Sequence, residues 1–310
     1  MISVVVPTKN SSNDLKNCLL SLKQTKPKEI VVVFDNKYDK NIILAKSFGA
    51  KVVFDKHHTI GGAYNTGVKT AKGDVIVFTD DDCVVPKNWI SNIEKQFHEN
   101  IDVIGGEDII LENSSTFQKA VYQIDKSKTL TNSVYGKKAK NRLRAANIAY
   151  RKSVFKKENF NPKLKGLQEP EFHNRLFKAG FKMKFDPKLY VFHKRRDSLK
   201  DVFKQIYRNG KAKIDVIKLH KDVLSYIDLV PFGYIFLTML CAYFTFSINP
   251  LFFYGWAALT LGYFLLKPFM IVLKTKEVRY YPYLFLIIFV REVAYSLGIL
   301  IGLRRLLRNK

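Results

Sequence analysis

The chain has 310 residues, 47% of them hydrophobic, which excludes a disordered chain and leaves room for one sizeable domain with an appendage. The 52 Lys and Arg against 27 Asp and Glu leave a formal charge of +25, which calls for a polyanionic partner such as nucleic acid, nucleotide phosphates or an anionic lipid surface. Cys18, Cys83 and Cys241 are scattered, excluding a disulfide framework and a zinc site and fitting a reducing compartment.

Ile2–Val6 is too short for the apolar core of a signal peptide and runs straight into Pro7, so the large polar part is expected on the cytoplasmic side. The first hundred residues alternate β-branched runs with amphipathic stretches, the pattern of βαβ units and a mostly parallel, Rossmann-like α/β sheet. Strands are predicted at 2–6, 30–34, 51–54, 75–79 and 101–104. Leu15, Cys18, Leu19 and Leu22 fall at helical spacing, and Trp89, Ile90, Ile93 and Phe97 do so after Pro86. A doubly wound sheet binds its ligand beyond the carboxyl ends of its strands. Those positions hold 7-PTKN-10, Asp35-Asn36 and 80-DDD-82.

Residues 107–165 are mixed and lysine-rich, with a strand-like patch at 147–150, and are expected to cap the site on its acceptor side. Residues 166–185 read as a loop with carboxylates, a helix ending at Gly180 and a strand. From 198 to 228 a stripe of Leu199, Val202, Phe203 and Ile206 is ringed by Lys200, Lys204, Arg208 and Lys211, the pattern of a basic membrane-surface helix. An ordinary packing helix with a solvated basic face is the alternative.

From Leu229 on there are nine Lys or Arg and two acids, Glu277 and Glu292. Residues 229–248 carry no charge and 251–273 carry only Lys267, so each is long enough to cross roughly 30 Å of hydrocarbon, with Asn249-Pro250 as the break. The segment 283–303 has Arg291 and Glu292 at its middle, where charge is costly in lipid. It is read as interfacial or re-entrant, with a third span as the alternative. The domains expected are therefore 1–197, an amphipathic stretch 198–228 and a membrane part 229–310. This tail selects lipid over nucleic acid as partner.

Three adjacent carboxylates after an apolar strand repel one another, so a cation or strong hydrogen bonding must compensate. Alternate residues of an extended segment share a face, so Asp80 and Asp82 can converge while Asp81 points elsewhere. Oxygen ligands favour Mg²⁺ or Mn²⁺, ions that bridge carboxylates to substrate phosphates.

In order, MISVVVPTKN, VVVFDN, GGAYNTGVKTAKGDVIVFTDDDCVVPKNWI, NIAYRKSVF and LQEPEFHNRLFKAGFKMKF resemble the family 2 inverting glycosyltransferases of GT-A fold over roughly residues 1–210. The resemblance implies a nucleotide-sugar site at Pro7, Thr8, Asn10, Asp35, Gly62, Asn65, Asp80 and Asp81. It implies a metal at Asp80 and Asp82, joined in some relatives by a His where His193 stands. It places the catalytic base at Glu169, with Glu171 competing, and the acceptor and diphosphate side at Asn147, Gln168, Gln205 and Arg208.

Three departures qualify it. Gln168 replaces the family's usual first acid, and Tyr64 stands where an Arg often faces the diphosphate, with Lys69 or Lys72 as substitutes. Gln205-Ile-Tyr-Arg208 is followed by Asn209 rather than the Trp of processive synthases. The reading reached is metal-dependent transfer of one sugar from a UDP- or GDP-type donor to a polyprenyl phosphate or lipid-linked glycan, by a multi-pass protein of the cell membrane. A sugar-phosphate nucleotidyltransferase, a processive synthase and a degenerate membrane-surface binding protein are the alternatives.

Overall fold

The computed structural model describes residues 1–9, 13–97, 100–128, 132–223 and 226–308. The chain forms two compact units, Met1–Ser114 with Thr129–Lys194, and Ser115–Lys128 with Arg195–Lys310. The second unit thus includes a short segment from within the region expected to cap the site.

In chain order the elements to the end of the first unit are β1 (Ile2–Thr8), α1 (Leu15–Gln24), β2 (Glu29–Phe34), α2 (Asn41–Ser47), β3 (Lys51–Phe54), α3 (Ile60–Thr70), β4 (Val75–Phe78), β5 (Cys83–Val84), α4 (Trp89–Gln96), β6 (Val103–Ile110), the second unit's α5 (Thr116–Lys126), β7 (Val134–Tyr135), α6 (Gly136–Lys140), β8 (Ile148–Arg151), α7 (Val154–Lys157), α8 (Gln168–Lys178) and β9 (Met183–His193). The sheet runs β3-β2-β1-β4-β8-β6-β9-β5, with β7 on β9. The first four strands are parallel. β8 lies antiparallel between β4 and β6, and β6 pairs parallel with β9 in the longest ladder.

Every residue of β1 is buried because both sheet faces are covered. Val4 and Val6 pack on the α1 side with Leu15, Cys18, Leu19 and Leu22. Val5 packs on the α3 side with Ala63, Tyr64 and Val68. A Cβ at Gly67 would meet Val5 Cγ1 at 2.2 Å, so α3 lies this close to β1 only because that position is glycine.

β1 has β2 on one side and β4 on the other, and the strand order reverses there. The crevice of a doubly wound sheet opens at such a reversal, between the carboxyl ends of the two strands. It brings Thr8 to the Asp80–Asp82 turn. The strand expected at 101–104 begins at Val103 and continues to Ile110, shifting register between Gly105 and Glu107. The β-branched run that marked the shorter boundary ends at Gly105-Gly106, where the bulge lies.

The second unit adds α9 (Leu199–Leu219), α10 (Tyr226–Ser247), α11 (Leu251–Thr275) and α12 (Tyr281–Arg308) to α5. Among the described residues, Leu251–Thr275 and Val278–Arg308 are long and apolar enough to cross a membrane, and Phe236–Ser247 is an apolar stretch within α10. The segment 283–303 lies inside the unbroken 28-residue α12. Glu292, one of the two charges that argued against a span, is bonded to Lys267 of α11.

The apolar stripe of α9 is taken up by protein. Val202 belongs to a cluster with Leu284, Ile287 and Ile288 of α12. Gly210 and Gly298 abut so closely that a Cβ on Gly298 would lie 2.4 Å from the Tyr207 carbonyl oxygen. Lys200, Lys204 and Arg208 remain on the exposed side.

Candidate metal and nucleotide-sugar site

β4 ends at Phe78, and the chain turns through 79–82 into β5, with the Cys83 amide donating to the Asp80 carbonyl at 3.1 Å. β5 pairs antiparallel with the end of β9, Cys83 opposite His193, and the Lys194 amide donates to the Asp82 carbonyl at 3.3 Å. This pairing carries His193 to the aspartates across more than a hundred residues of sequence. Donor atoms of Asp80, Asp82, Cys83 and His193 lie within 4.8 Å of one another. His193 Nε2 is 3.3 Å from Asp82 Oδ1 and 3.9 Å from Asp80 Oδ2.

The other ring nitrogen of His193 is held by Asp108 Oδ2 at 3.0 Å. Asp108 pairs in register with Val191, two residues before His193, so the two side chains share a face of the sheet. A carboxylate behind a histidine fixes the ring and its tautomer, leaving the far nitrogen for a cation. Burial opposes the charged imidazolium, but the bonds to Asp108 and Asp82 and the charges of Asp82 and Asp80 outweigh it, pushing His193 up to about 10, so a cation would have to displace the proton on Nε2.

Burial raises Asp80 to about 7, opposed by His193 and reinforced by Asp82 and Glu169. Burial likewise raises Asp81 to about 6 against the lowering bond from Thr8. Such like-charge crowding is relieved by a divalent cation, and the carboxylate-plus-imidazole donor set fits one. Burial, then Asp80 and Asp82, push the Cys83 thiol well above its usual range, so it stays protonated and is a poor ligand for a hard ion.

Asp81 turns away from this group and accepts a hydrogen bond from Thr8 at the end of β1. Asp35, just past β2, pairs with Lys9 at 3.2 Å. Pro7 is buried within β1, in register with Val33. Asn10 lies outside the described residues.

Glu169, in the first turn of α8, accepts a hydrogen bond from the Tyr64 hydroxyl at 3.2 Å, and its charge reaches Asp80. The residue before the helix, Leu167, takes the left-handed conformation at φ 56°, uncommon for a side chain of this size. Glu171 faces the other way: it is buried and held by Arg175 through contacts of 2.7 and 3.1 Å. The two competing glutamates thus have separate environments.

Several expected site residues are engaged elsewhere. Asn147 is buried, accepting from the Trp89 indole at 2.9 Å and donating to the carbonyls of Glu107 and Leu189. Asn65 uses both ends of its amide on the backbone of Phe160. Gly62 donates to the capping Thr59 and leaves room for Asp55, whose Oδ1 would lie 2.7 Å from an added Cβ. Gln168 is buried and donates to the Leu164 carbonyl. Gln205 and Arg208 lie on α9 of the second unit.

Lys69 and Lys72 sit where α3 has returned to the amino end of the sheet, the Lys72 amide bonding Glu29 at the start of β2. They stand at the opposite end of the strands from Asp80 and do not replace the missing Arg. Asp108 was missed because its role depends on β6 lying beside β9, which no local pattern encodes.

The model of the family "Glycosyl transferase family 2" matches residues 3–158. The chain is 25% identical over 268 residues, 77% of its length and 80% of the relative's, to the dolichyl N-acetyl-alpha-D-glucosaminyl phosphate 3-beta-D-2,3-diacetamido-2,3-dideoxy-beta-D-glucuronosyltransferase of Methanococcus voltae. It is 23% identical over 219 residues, 65% of its length and 63% of the relative's, to an uncharacterised glycosyltransferase of Bacillus subtilis. Among solved structures it resembles a mannosyltransferase of Pyrobaculum calidifontis in complex with GDP-Man and Mn²⁺, at a TM-score of 0.67 and 13% identity over 94% of this chain and 86% of that one. That likeness establishes the GT-A fold.

Proposed function

Because the chain belongs to glycosyl transferase family 2, whose model spans half of it, we propose that it transfers a single sugar from a UDP- or GDP-type nucleotide sugar to a polyprenyl phosphate or lipid-linked glycan at the cytoplasmic face of a membrane. The observation that carries this reading is the convergence of Asp80, Asp82 and His193 at the β1–β4 crevice, with the charge of Glu169 reaching Asp80.

Asp80, Asp82 and His193 would hold a divalent ion, which when bound supplies positive charge for the departing diphosphate. An imidazole donor suits Mn²⁺ better than Mg²⁺. Asp35, Thr8 and Asp81 bind the nucleoside side of the donor. The acceptor oxygen attacks the anomeric carbon as the bond from that carbon to the diphosphate breaks, inverting the configuration. Glu169 takes the proton when the acceptor is a hydroxyl; a phosphate acceptor is already anionic and needs no base.

The lipid-linked acceptor is supported by the apolar helices of the second unit and by the dolichyl-linked substrate in the name of the Methanococcus relative. Tethering enzyme and acceptor to one bilayer raises their effective concentration. The membrane part is multi-pass in this reading, through α11 and α12. Membranes carrying the protein, incubated with UDP- and GDP-sugars and Mn²⁺, should release nucleoside diphosphate, and faster when polyprenyl phosphate is added. Turnover that requires a nucleoside triphosphate and a sugar phosphate instead would replace this reading with nucleotidyl transfer.

A further inference from the structure

A cavity of about 230 Å³ lies within the second unit between α5, α11 and α12. Its wall carries four cations from three elements: Lys128 just past α5, Lys267 and Lys274 two helical turns apart on α11, and Arg291 on α12. Glu292 is the one acid among the lining residues, and it is already bonded to Lys267, whose amine also donates to the Tyr263 hydroxyl at 2.7 Å. Arg291 makes no hydrogen bond or ion pair among the described residues. The acid on α5 that bears on it, Asp125, is paired with Arg195 at 3.5 Å.

A guanidinium midway along an apolar helix is costly in a bilayer without a counter-ion. Apart from Ser127 the rest of the wall is apolar, including Ile271 and Ile288, and the neighbouring face of α11 is exposed and apolar at Leu266, Phe269 and Leu273. A volume below the roughly 300–1,000 Å³ of small-molecule sites is too small for a nucleotide sugar but takes a phosphate group. Cationic wall and apolar exit together match a phosphate with a hydrocarbon chain.

We propose that this cavity binds the phosphate of an anionic membrane lipid, with Lys128, Lys274 and Arg291 contacting its oxygens and the chain running out along α11. The proposal rests on the membrane reading above. Two lipids present this chemistry, an anionic phospholipid such as phosphatidylglycerol and a polyprenyl phosphate.

The test uses the full chain, released from detergent micelles containing either lipid or neutral phosphatidylcholine, with retained lipid counted by native mass spectrometry. Wild type should retain one anionic lipid and no phosphatidylcholine. The Lys128→Gln/Lys274→Gln pair should weaken retention about tenfold or more, while Lys128→Arg/Lys274→Arg keeps it. Whichever of the two anionic lipids displaces the other identifies the natural source.

Equal retention by wild type and the Gln pair, or equal retention of phosphatidylcholine, overturns the cavity site. Flotation with phosphatidylcholine vesicles separates this from the parent reading. A Gln pair that still floats while retaining anionic lipid like wild type removes the cavity alone, whereas a wild type that floats with no vesicle removes the membrane reading and the cavity with it.

Discussion

The Tyr64 hydroxyl donates a hydrogen bond to the Glu169 carboxylate at 3.2 Å, joining α3 to the first turn of α8. Burial, then the charges of Glu169 and Asp80, hold the Tyr64 phenol well above its usual range, so it remains a donor at any working pH. Its ring packs on Phe78 and Phe160 with centroids 4.7 and 4.8 Å away. Tyr64→Phe keeps that packing and removes one bond to a charged group, worth about 1.5–3 kcal/mol. Turnover should fall about tenfold or more, and the melting temperature by several degrees; an unchanged kcat would show that the bond does not position Glu169.

Glu169→Gln and Glu171→Gln should fail in opposite ways. With a hydroxyl acceptor the first should lower kcat by about 10²–10⁴, the range for a lost general base, and leave the fold intact. The second breaks a buried ion pair, but Arg175 keeps Glu158 and the Asn159 carbonyl as partners, so the loss should be on the order of 2 kcal/mol. Melting curves and single-turnover rates on both variants decide the assignment, and a normal rate in Glu169→Gln would exclude Glu169 as base.

Divalent metal should stabilise the protein through Asp80 and Asp82. At a hundred times its dissociation constant, Mn²⁺ adds about 2.7 kcal/mol to the folded state, and Asp80→Ala/Asp82→Ala should abolish both that gain and transfer. The same double variant turning over normally in EDTA would remove the metal from the reaction.

His173 offers a pH dependence away from the aspartates. Its Nε2 lies 2.6 Å from the Tyr150 hydroxyl, and burial first, then Arg144 and Lys140, push it from 6.5 down to about 3. The folded state therefore binds fewer protons than the unfolded one between those values. The stability it contributes is fully present above about pH 6.5 and is lost as pH falls toward 3, by up to about 1.4 kcal/mol per pH unit. Denaturant titrations from pH 3.5 to 7 on wild type and His173→Asn should differ in slope by about one proton, and parallel curves would contradict the assignment.

The α9–α12 contact should tolerate no side chain at its centre. In Gly298→Ala the new methyl meets the Tyr207 carbonyl, a backbone atom that cannot rotate away, so the second unit should lose about 1–3 kcal/mol. Binding of donor and Mn²⁺ by the first unit, followed by calorimetry, should be unaffected. An unaltered melting profile would mean the helices separate easily.

The α/β class and the order of the first strands were legible because each buried strand writes its own run of β-branched residues: 2–6, 30–34, 51–54 and 75–79 correspond closely to β1–β4. The acidic turn was legible for the same reason, since a strand end is a local event and three carboxylates after VIVF stand out against it. The surroundings of Asn65, Asn147 and Gln168 were not legible in this way. An amide can face a ligand or close its own hydrogen bonds with nearby backbone, and side-chain type does not distinguish the two; here all three are satisfied internally.

The sequence alone therefore determined the sheet, its crevice and the aspartates at its edge, because these follow from residues adjacent in the chain. Only the tertiary structure decided that Asp108 stands behind His193, that Tyr64 meets Glu169 while Glu171 turns to Arg175, and that α9 lays its apolar stripe on α12. Each of these is a pairing between distant segments, and it is fixed by strand register and by which helix faces can approach, quantities that exist only once the chain has packed.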